Sequence, residues 1–345
     1  MNTTELGEPT RSQIEDRIAN LCKPPGSLGA IEQVAGQLCL TQGSLQPKTR
    51  PRSVSVFAAD HGVTQEGVSA WPSSVTQSVV QLMQTSRTAS GIFSRALDCN
   101  YEVIDVGLLR PLSGYDEVVL DRAQRRGSGN LRIERALSED DFQNAWNVGT
   151  ERAIAALDAG SRLLIGGEMG IGNTTPATCL ITLLCGVDDD GEIAKLVGSG
   201  AGADSGQLEQ KRGVVQAAVR RVRTAGIEQP KQIGCEVGGL EIAALAGYYT
   251  AAAERRCTII VDGLIATSAA LLANAIRPGT RRSMLAGHRS TEPAHRVALE
   301  RLQLEPIQDL CMRLGEGTGA LAALPLVDLA ATMMNDMATL DELEL

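Results

Sequence analysis

The strongest constraint on the fold of this chain is a recurring unit: a short β-branched run that ends in glycine or an acidic residue, followed by a longer helical stretch. Ser53 to Ala59, Tyr101 to Val106, Arg162 to Ile165 and Thr258 to Val261 are the clearest runs, with Ser283 to Ala286 a weaker fifth. Parallel strands need a crossover long enough to hold a helix, so this alternation is the signature of βαβ units. It predicts an α/β fold, a Rossmann-like parallel sheet flanked by helices. Asp60 and Gly62, Gly107, Gly166 to Glu168, Asp262 and Gly263, and Gly287 follow the runs. Ligands of open parallel sheets gather at the carboxyl ends of the strands, which makes these positions the expected rim of a site.

Helical periodicity runs from Gln207 to Thr224, from Leu240 to Arg255 and from Glu292 to Leu302. Two further helix candidates, Leu6 to Ala19 and Gly29 to Gln42, precede the first strand, and Leu321 to Met334 follows Gly319. The expected organisation is a large α/β catalytic domain over residues 45–310 and a smaller helical domain built from 1–44 and 311–345. There is no internal repeat.

Among the 345 residues, 43% are hydrophobic and 21% charged, as in folded globular proteins. A net charge of -9, with only two Trp, four Tyr and three Phe, argues against a nucleic-acid partner, which needs a basic surface and stacking platforms. The eight cysteines occur singly, with no C-x-x-C and no zinc-ligand spacing, so reduced thiols and no metal are expected. No apolar signal region is readable in the first thirty residues, and a cytoplasmic location is the expectation. The apolar stretch from Thr258 to Ile276 is broken by Asp262, Gly263, Ser268 and Asn274, which suits a strand, turn and helix better than a membrane span.

Two glycine loops stand out. Gly166 to Pro176 joins a strand to a helix, and its converging N–H groups, Thr hydroxyls and helix N-terminus suit a phosphate. A Gly-rich turn capped by Thr has the same sequence. Gly198 to Asp204 precedes a helix carrying Lys211, which is either a charge partner for that anion or a residue on a solvated face. Neither loop matches G-x-x-x-x-G-K-[ST] or G-x-G-x-x-G, so no ATPase or dehydrogenase is indicated. G-x-S-x-G and H-E-x-x-H are absent, and His61, His288 and His295 have no nucleophile partner in the sequence. Gly315-Glu316-Gly317-Thr318-Gly319 places a carboxylate between glycines, open to a ligand as a general base must be; a helix C-cap with a solvated glutamate is the other reading. Asp60-His61-Gly62-Val63 either orients a substrate or caps a turn, and Trp71-Pro72 is either a stacking wall or a packing anchor.

Together these segments resemble the nicotinate-nucleotide:dimethylbenzimidazole phosphoribosyltransferase family. The resemblance runs in order from Lys23-Pro24-Pro25-Gly26-Ser27-Leu28-Gly29, through Asp60-His61-Gly62-Val63, Gly167 to Thr175 and Asp262-Gly263, to Gly315 to Ala320 and Asn335-Asp336-Met337-Ala338-Thr339. It implies a homodimer and a transfer of phosphoribose from nicotinate mononucleotide to 5,6-dimethylbenzimidazole, with inversion at the anomeric carbon. Glu316 matches the family's catalytic base, the glycine loops are implied to cradle the 5′-phosphate, and no cofactor or metal is implied. The candidate catalytic residues are Glu316 and Glu168, the latter expected to face Lys211 or the ribose hydroxyls. The candidate substrate-binding residues are Gly170, Gly172, Asn173, Thr174, Gly200, Gly202, Lys211, Asp262, Trp71, Ser290 and Gly317. The residue before the proline of the aromatic-base loop varies in that family, and here it is the large Trp71. A phosphate-sensing regulatory module, with Glu316 only a cap, and a phosphoribosyl hydrolase are the alternatives from other classes.

Overall fold

The computed structural model describes residues 8–200 and 202–343. Leu6 and Gly7 of the expected first helix, Ala201 of the second glycine loop and the last two residues lie outside the described residues. The chain begins with α1 (Arg11–Ala19) and α2 (Ala30–Gln42), then β1 (Arg52–Ala59), α3 (Ser74–Met83), α4 (Ala89–Ala96), β2 (Asn100–Gly107), β3 (Val119–Asp121) and α5 (Glu139–Asp158). β4 (Leu163–Met169), α6 (Thr174–Cys185), α7 (Asp190–Leu196), α8 (Ser205–Thr224), α9 (Pro230–Val237) and α10 (Leu240–Glu254) follow. The last elements are β5 (Thr258–Val261), α11 (Leu264–Ile276), β6 (Met284–Ala286), α12 (Pro293–Leu302) and α13 (Thr318–Asp336).

Among the described residues, six strands form one parallel sheet in the order β3-β2-β1-β4-β5-β6. The order reverses between β1 and β4, which opens a crevice where the chain leaves their carboxyl ends. Both faces of the sheet are covered, so the strands are apolar on both sides. Phe57, Ile104, Leu164 and Ile259 face a core shared with α5, α6, α8, α10 and α11. The alternate residues Val54, Val56, Val103, Leu163, Ile165 and Ile260 face a second core, in which α2 and α13 take part. α13 packs on α2 and α4, α1 packs on α2, and the core of these terminal helices is continuous with that face of the sheet.

Several boundaries differ from the sequence reading for identifiable reasons. β4 continues past Ile165 through Gly166, Gly167 and Glu168 to Met169, because β1 pairs with it residue by residue as far as Ala58 opposite Met169. The edge strand β3, three residues long and fully buried only at Val119, is too short to leave a periodic signal. α1 starts at Arg11, where Thr10 and Gln13 close a capping box. Thr258 to Ile276 is β5, a turn and α11, as read from the sequence. α13 is the one described helix long and apolar enough to cross a membrane, and most of it is buried against α2, α4 and β4.

A buried ion pair ties the start of β1 to α13. The Arg52 side chain is 1% exposed; its Nη1 donates to both oxygens of Asp328, at 2.9 and 3.0 Å, and its Nε donates to the Leu97 carbonyl. Removing one partner of such a pair leaves an uncompensated buried charge. Asp328→Ala is therefore expected to lower unfolding stability by about 2–3 kcal/mol, below the range for a fully buried pair because Asp328 is partly solvated. A shift of the urea midpoint with an unchanged slope checks this, and an unchanged midpoint would contradict it.

Candidate active site

A cleft of about 260 Å³ opens at the switch point between β1 and β4. Its lining comes from six segments: 68–71 with Val75 and Val79, 168–174, Ser199 and Gly200, 263–265, His288 with Ser290 and Glu292, and 313–316. No two of these segments are neighbours in the sequence, and the sheet brings them together.

The geometry centres on a turn of three successive left-handed residues, Gly315 (φ 92°), Glu316 (φ 59°) and Gly317 (φ 77°). A glutamate at positive φ is strained and persists only where its surroundings over-determine it. Here the turn lies flat against β4. A Cβ on Gly167 would sit 2.6 Å from the Glu316 carbonyl carbon, and one on Gly315 would sit 2.3 Å from Glu168 Oε1. The Glu316 N–H donates to the Glu168 carbonyl at 3.1 Å. The two candidate catalytic glutamates are thus joined through their backbones.

Glu316 is 6% exposed, so its flanking glycines supply conformation and close approach, not the open access expected of them. It is no helix C-cap either, because it precedes the N-terminus of α13. Its Oε2 accepts hydrogen bonds from the Ser90 hydroxyl at 2.8 Å and the Ser90 N–H at 3.4 Å. Asp262 anchors the turn from behind: its Oδ2 accepts from Gly317 N, and its Oδ1 accepts from Gly319 N and Ala320 N. The Asp262 carboxylate is therefore a cap for α13, and neither it nor Gly317 lines the cleft.

Glu168 does line it, but faces Asn173, whose Nδ2 donates to Oε2, instead of Lys211. Burial pushes the Glu168 carboxyl well above the usual range, the nearby carboxylates of Glu241, Asp262 and Glu316 push the same way, and the Asn173 bond opposes them. Behind this segment, His61 Nε2 pairs with Glu241 Oε1 at 2.8 Å in a fully buried contact. Burial alone would depress the His61 imidazole, but the Glu241 carboxylate wins and raises it, with Asp60 adding to the effect.

Lys211 is not on a solvated face. It is 1% exposed, and its Nζ donates to Thr174 Oγ1 at 2.8 Å and the Gly198 carbonyl at 2.9 Å, bridging the two glycine loops from beneath the cleft. Burial lowers its affinity for a proton. Among the described residues no side chain caps the N-terminus of α6, so the Thr-capped turn is not what forms there. The second loop is held by charges: Gly200 N donates to Glu292 Oε1 at 2.9 Å and Arg313 Nη1 donates to the Gly200 carbonyl at 2.9 Å. One amide of that expected phosphate cradle is already given to a carboxylate. Of the expected substrate residues, Trp71, Gly170, Gly172, Asn173, Thr174, Gly200 and Ser290 line the cleft, whereas Gly202, Lys211, Asp262 and Gly317 do not.

Arg313, His288 and Glu292 also line the cleft and were not anticipated. Arg313 stands two residues before the glycine turn, the one sequence signal that could have found it; the other two sit in a loop without a motif. His295 shapes that loop. Its Nδ1 accepts the Ser290 N–H at 3.0 Å, which leaves the proton on Nε2, 3.0 Å from Thr267 Oγ1. Burial holds this imidazole down at about 3, so it stays neutral and keeps that tautomer.

A family model described as a phosphoribosyltransferase matches residues 4–344. The chain belongs to that family. Over 343 residues it is 42% identical to the nicotinate-nucleotide–dimethylbenzimidazole phosphoribosyltransferase of Chromobacterium violaceum, covering 99% of this chain and 98% of that one. It is 40% identical to the Thermus thermophilus enzyme of the same name over 331 residues, covering 96% of each. The crystal structure of CobT from Thermus thermophilus superposes with a TM-score of 0.91 at 40% identity, covering 96% of this chain and 97% of that one.

The packing of the turn on β4 is directly testable in this transferase. Gly167→Ala would push the Glu316 backbone away from β4, and a displacement of about 1 Å at reacting groups costs on the order of a hundredfold in rate. Turnover should fall by about that factor while far-UV circular dichroism is unchanged. Normal turnover in a folded Gly167→Ala protein would show that this contact is dispensable.

Proposed function

We propose that the chain transfers the phosphoribosyl group of nicotinate mononucleotide to 5,6-dimethylbenzimidazole, giving α-ribazole 5′-phosphate and nicotinate, with Glu316 as general base. The observation that carries the reading is the Glu316 carboxylate at the cleft: one oxygen is held by Ser90, while the other accepts no hydrogen bond from any described residue. The acceptor's unprotonated ring nitrogen attacks the anomeric carbon as the bond to the pyridinium nitrogen breaks, and the bonding pair returns to the departing nicotinate. That leaving group is already cationic at nitrogen, so its departure needs no general acid, unlike an O-glycoside. The acceptor's ring N–H then gives its proton to Glu316.

For the donor phosphate, the uncapped N-terminus of α6 and the Thr174 hydroxyl supply donors, Lys211 supplies charge from behind Thr174, and Arg313 supplies it from the mouth. Glu168, driven toward its neutral form by burial, adds little negative charge beside that phosphate. The aliphatic wall of Val68, Val75, Val79 and Ile171 suits a flat aromatic acceptor, and Trp71, 53% exposed, sits at the edge of that pocket. The division into a 45–310 unit and a helical unit from the termini and a homodimer belong to the same reading through the resemblance, and a cytoplasmic location belongs to it through the absence of a readable signal region in the first thirty residues. A phosphate sensor would use the loops without needing Glu316, and a hydrolase would use water as acceptor.

Glu316→Gln keeps the shape and removes the proton acceptor, so turnover should fall by roughly a hundred- to ten-thousandfold while donor and acceptor still bind. The assay is nicotinate release with and without the azole, in the presence of a chelator. Near-normal turnover would remove Glu316 as the base, and equal release without azole would favour the hydrolase.

Lys211→Met should weaken donor binding by about ten- to hundredfold, the worth of a charge-assisted hydrogen bond network, and leave acceptor binding nearly unchanged. Titrating the variant with each substrate separately checks this. Equal losses for both would place Lys211 outside the donor's reach.

A further inference from the structure

A chain of hydroxyl groups stands behind Glu316, away from the cleft. Ser90 lies in the first turn of α4, and its Oγ is 2.8 Å from Glu316 Oε2 and 3.0 Å from the hydroxyl of Tyr101 on β2. Thr88 Oγ1, at the N-cap of the same helix, is 3.1 Å from Ser90 Oγ. Ser90 is fully buried, and its N–H adds a second, longer contact to the same carboxylate oxygen.

The direction of this chain follows from donor counting. An ionised carboxylate only accepts, and a serine hydroxyl has one proton, so Ser90 donates to Glu316 and must accept from its other partners. Tyr101 and Thr88 both keep a proton to donate at every working pH: burial together with the Glu316 charge pushes the Tyr101 hydroxyl up to about 12, and a threonine hydroxyl does not ionise. The bonds therefore run one way, from the Tyr101 and Thr88 hydroxyls to Ser90 to Glu316 Oε2. Oε1 accepts nothing from the described residues, and the carboxylate cannot exchange its two oxygens by rotation without breaking the bond to Ser90.

We propose that Ser90 is a positioning residue for the base, held in direction by Tyr101, and that this pair selects the Glu316 oxygen to which the acceptor's proton is transferred. The inference rests on Glu316 being the base, and it adds two residues that neither the glycine motifs nor the cleft lining includes. Ser90 touches no substrate in this arrangement. It acts through the orientation of Glu316, because a freely rotating carboxylate spends less time aligned with the azole N–H.

The test is a double-mutant comparison with turnover measured under saturating donor and acceptor. Ser90→Ala should lower kcat by about ten- to hundredfold with KM for both substrates within about twofold of the parent. Ser90→Thr, which keeps the hydroxyl, should restore most of the rate, and Tyr101→Phe should cost a smaller factor of about three to ten. In a Glu316→Gln background, where no proton acceptor remains to be oriented, Ser90→Ala should change kcat by less than about twofold. A merely structural role would instead cost the same factor in both backgrounds, and that result overturns the proposal. So does a Ser90→Ala enzyme with normal kcat beside a crippled Glu316→Gln enzyme, which would leave the base reading intact. Normal turnover in Glu316→Gln itself would overturn both. If Ser90→Ala fails to fold, Tyr101→Phe in the two Glu316 backgrounds makes the same comparison, and equal losses there count against the proposal.

Discussion

The arrangement of the cleft depends on one backbone contact, the left-handed turn at 315–317 lying flat against Gly167 and Glu168 of β4. Any side chain at 167 would collide with the Glu316 carbonyl, and any at 315 would collide with the Glu168 carboxyl. The contact also determines where α13 begins, since Asp262 at the end of β5 holds the N–H groups of Gly317, Gly319 and Ala320 together. The sheet, the last helix and the candidate base are thereby one mechanical unit. Strain at Glu316 persists because three independent neighbours hold the turn in place.

The electrostatics of the region are those of crowded carboxylates buried together. Glu241, Asp262 and Glu316 lie close enough to Glu168 to push its carboxyl up, and each of the four acids has a distinct set of partners. Asp262 accepts three backbone N–H groups. Glu241 pairs with His61, whose imidazole is raised toward its charged form by that same carboxylate. Glu168 is driven toward neutrality by burial and its neighbours. Glu316 accepts from the Ser90 hydroxyl and from the N-terminus of α4. Four acids in one region thus have four environments, and those environments separate their roles.

Around the glycine loops, charged side chains serve mainly to shape backbone. Lys211 links Thr174 to Gly198, while Glu292 and Arg313 grip the two sides of Gly200. Loops rich in glycine have little intrinsic stiffness, and bonds of this kind limit the ordering a phosphate would otherwise have to supply on binding. His295 does the same for Ser290 through a neutral imidazole.

The fold was legible because parallel strands buried on both faces leave runs such as Ser53 to Ala59 that need no partner to be recognised, and a sheet of such strands locates its site at the carboxyl ends. The motifs at Gly170 to Thr174 and at Glu316 were legible for a similar reason, since glycines in sequence mark where backbone must come close to something. What they come close to was not. That Gly167 touches the Glu316 backbone, that Asp262 caps α13 and that Lys211 is buried between two loops all depend on strand order and helix docking. Glu292 and Ser90 left no local pattern, and Arg313 left only its place beside the glycine turn, because their partners lie 92, 226 and 113 residues away. Sequence alone therefore determined the α/β class through local periodicity, the segments that form the site through their glycine motifs, and the family through the resemblance those ordered motifs carry. Only the tertiary structure decided which oxygen meets which proton, because hydrogen-bond direction and burial are set by groups that chain order keeps far apart.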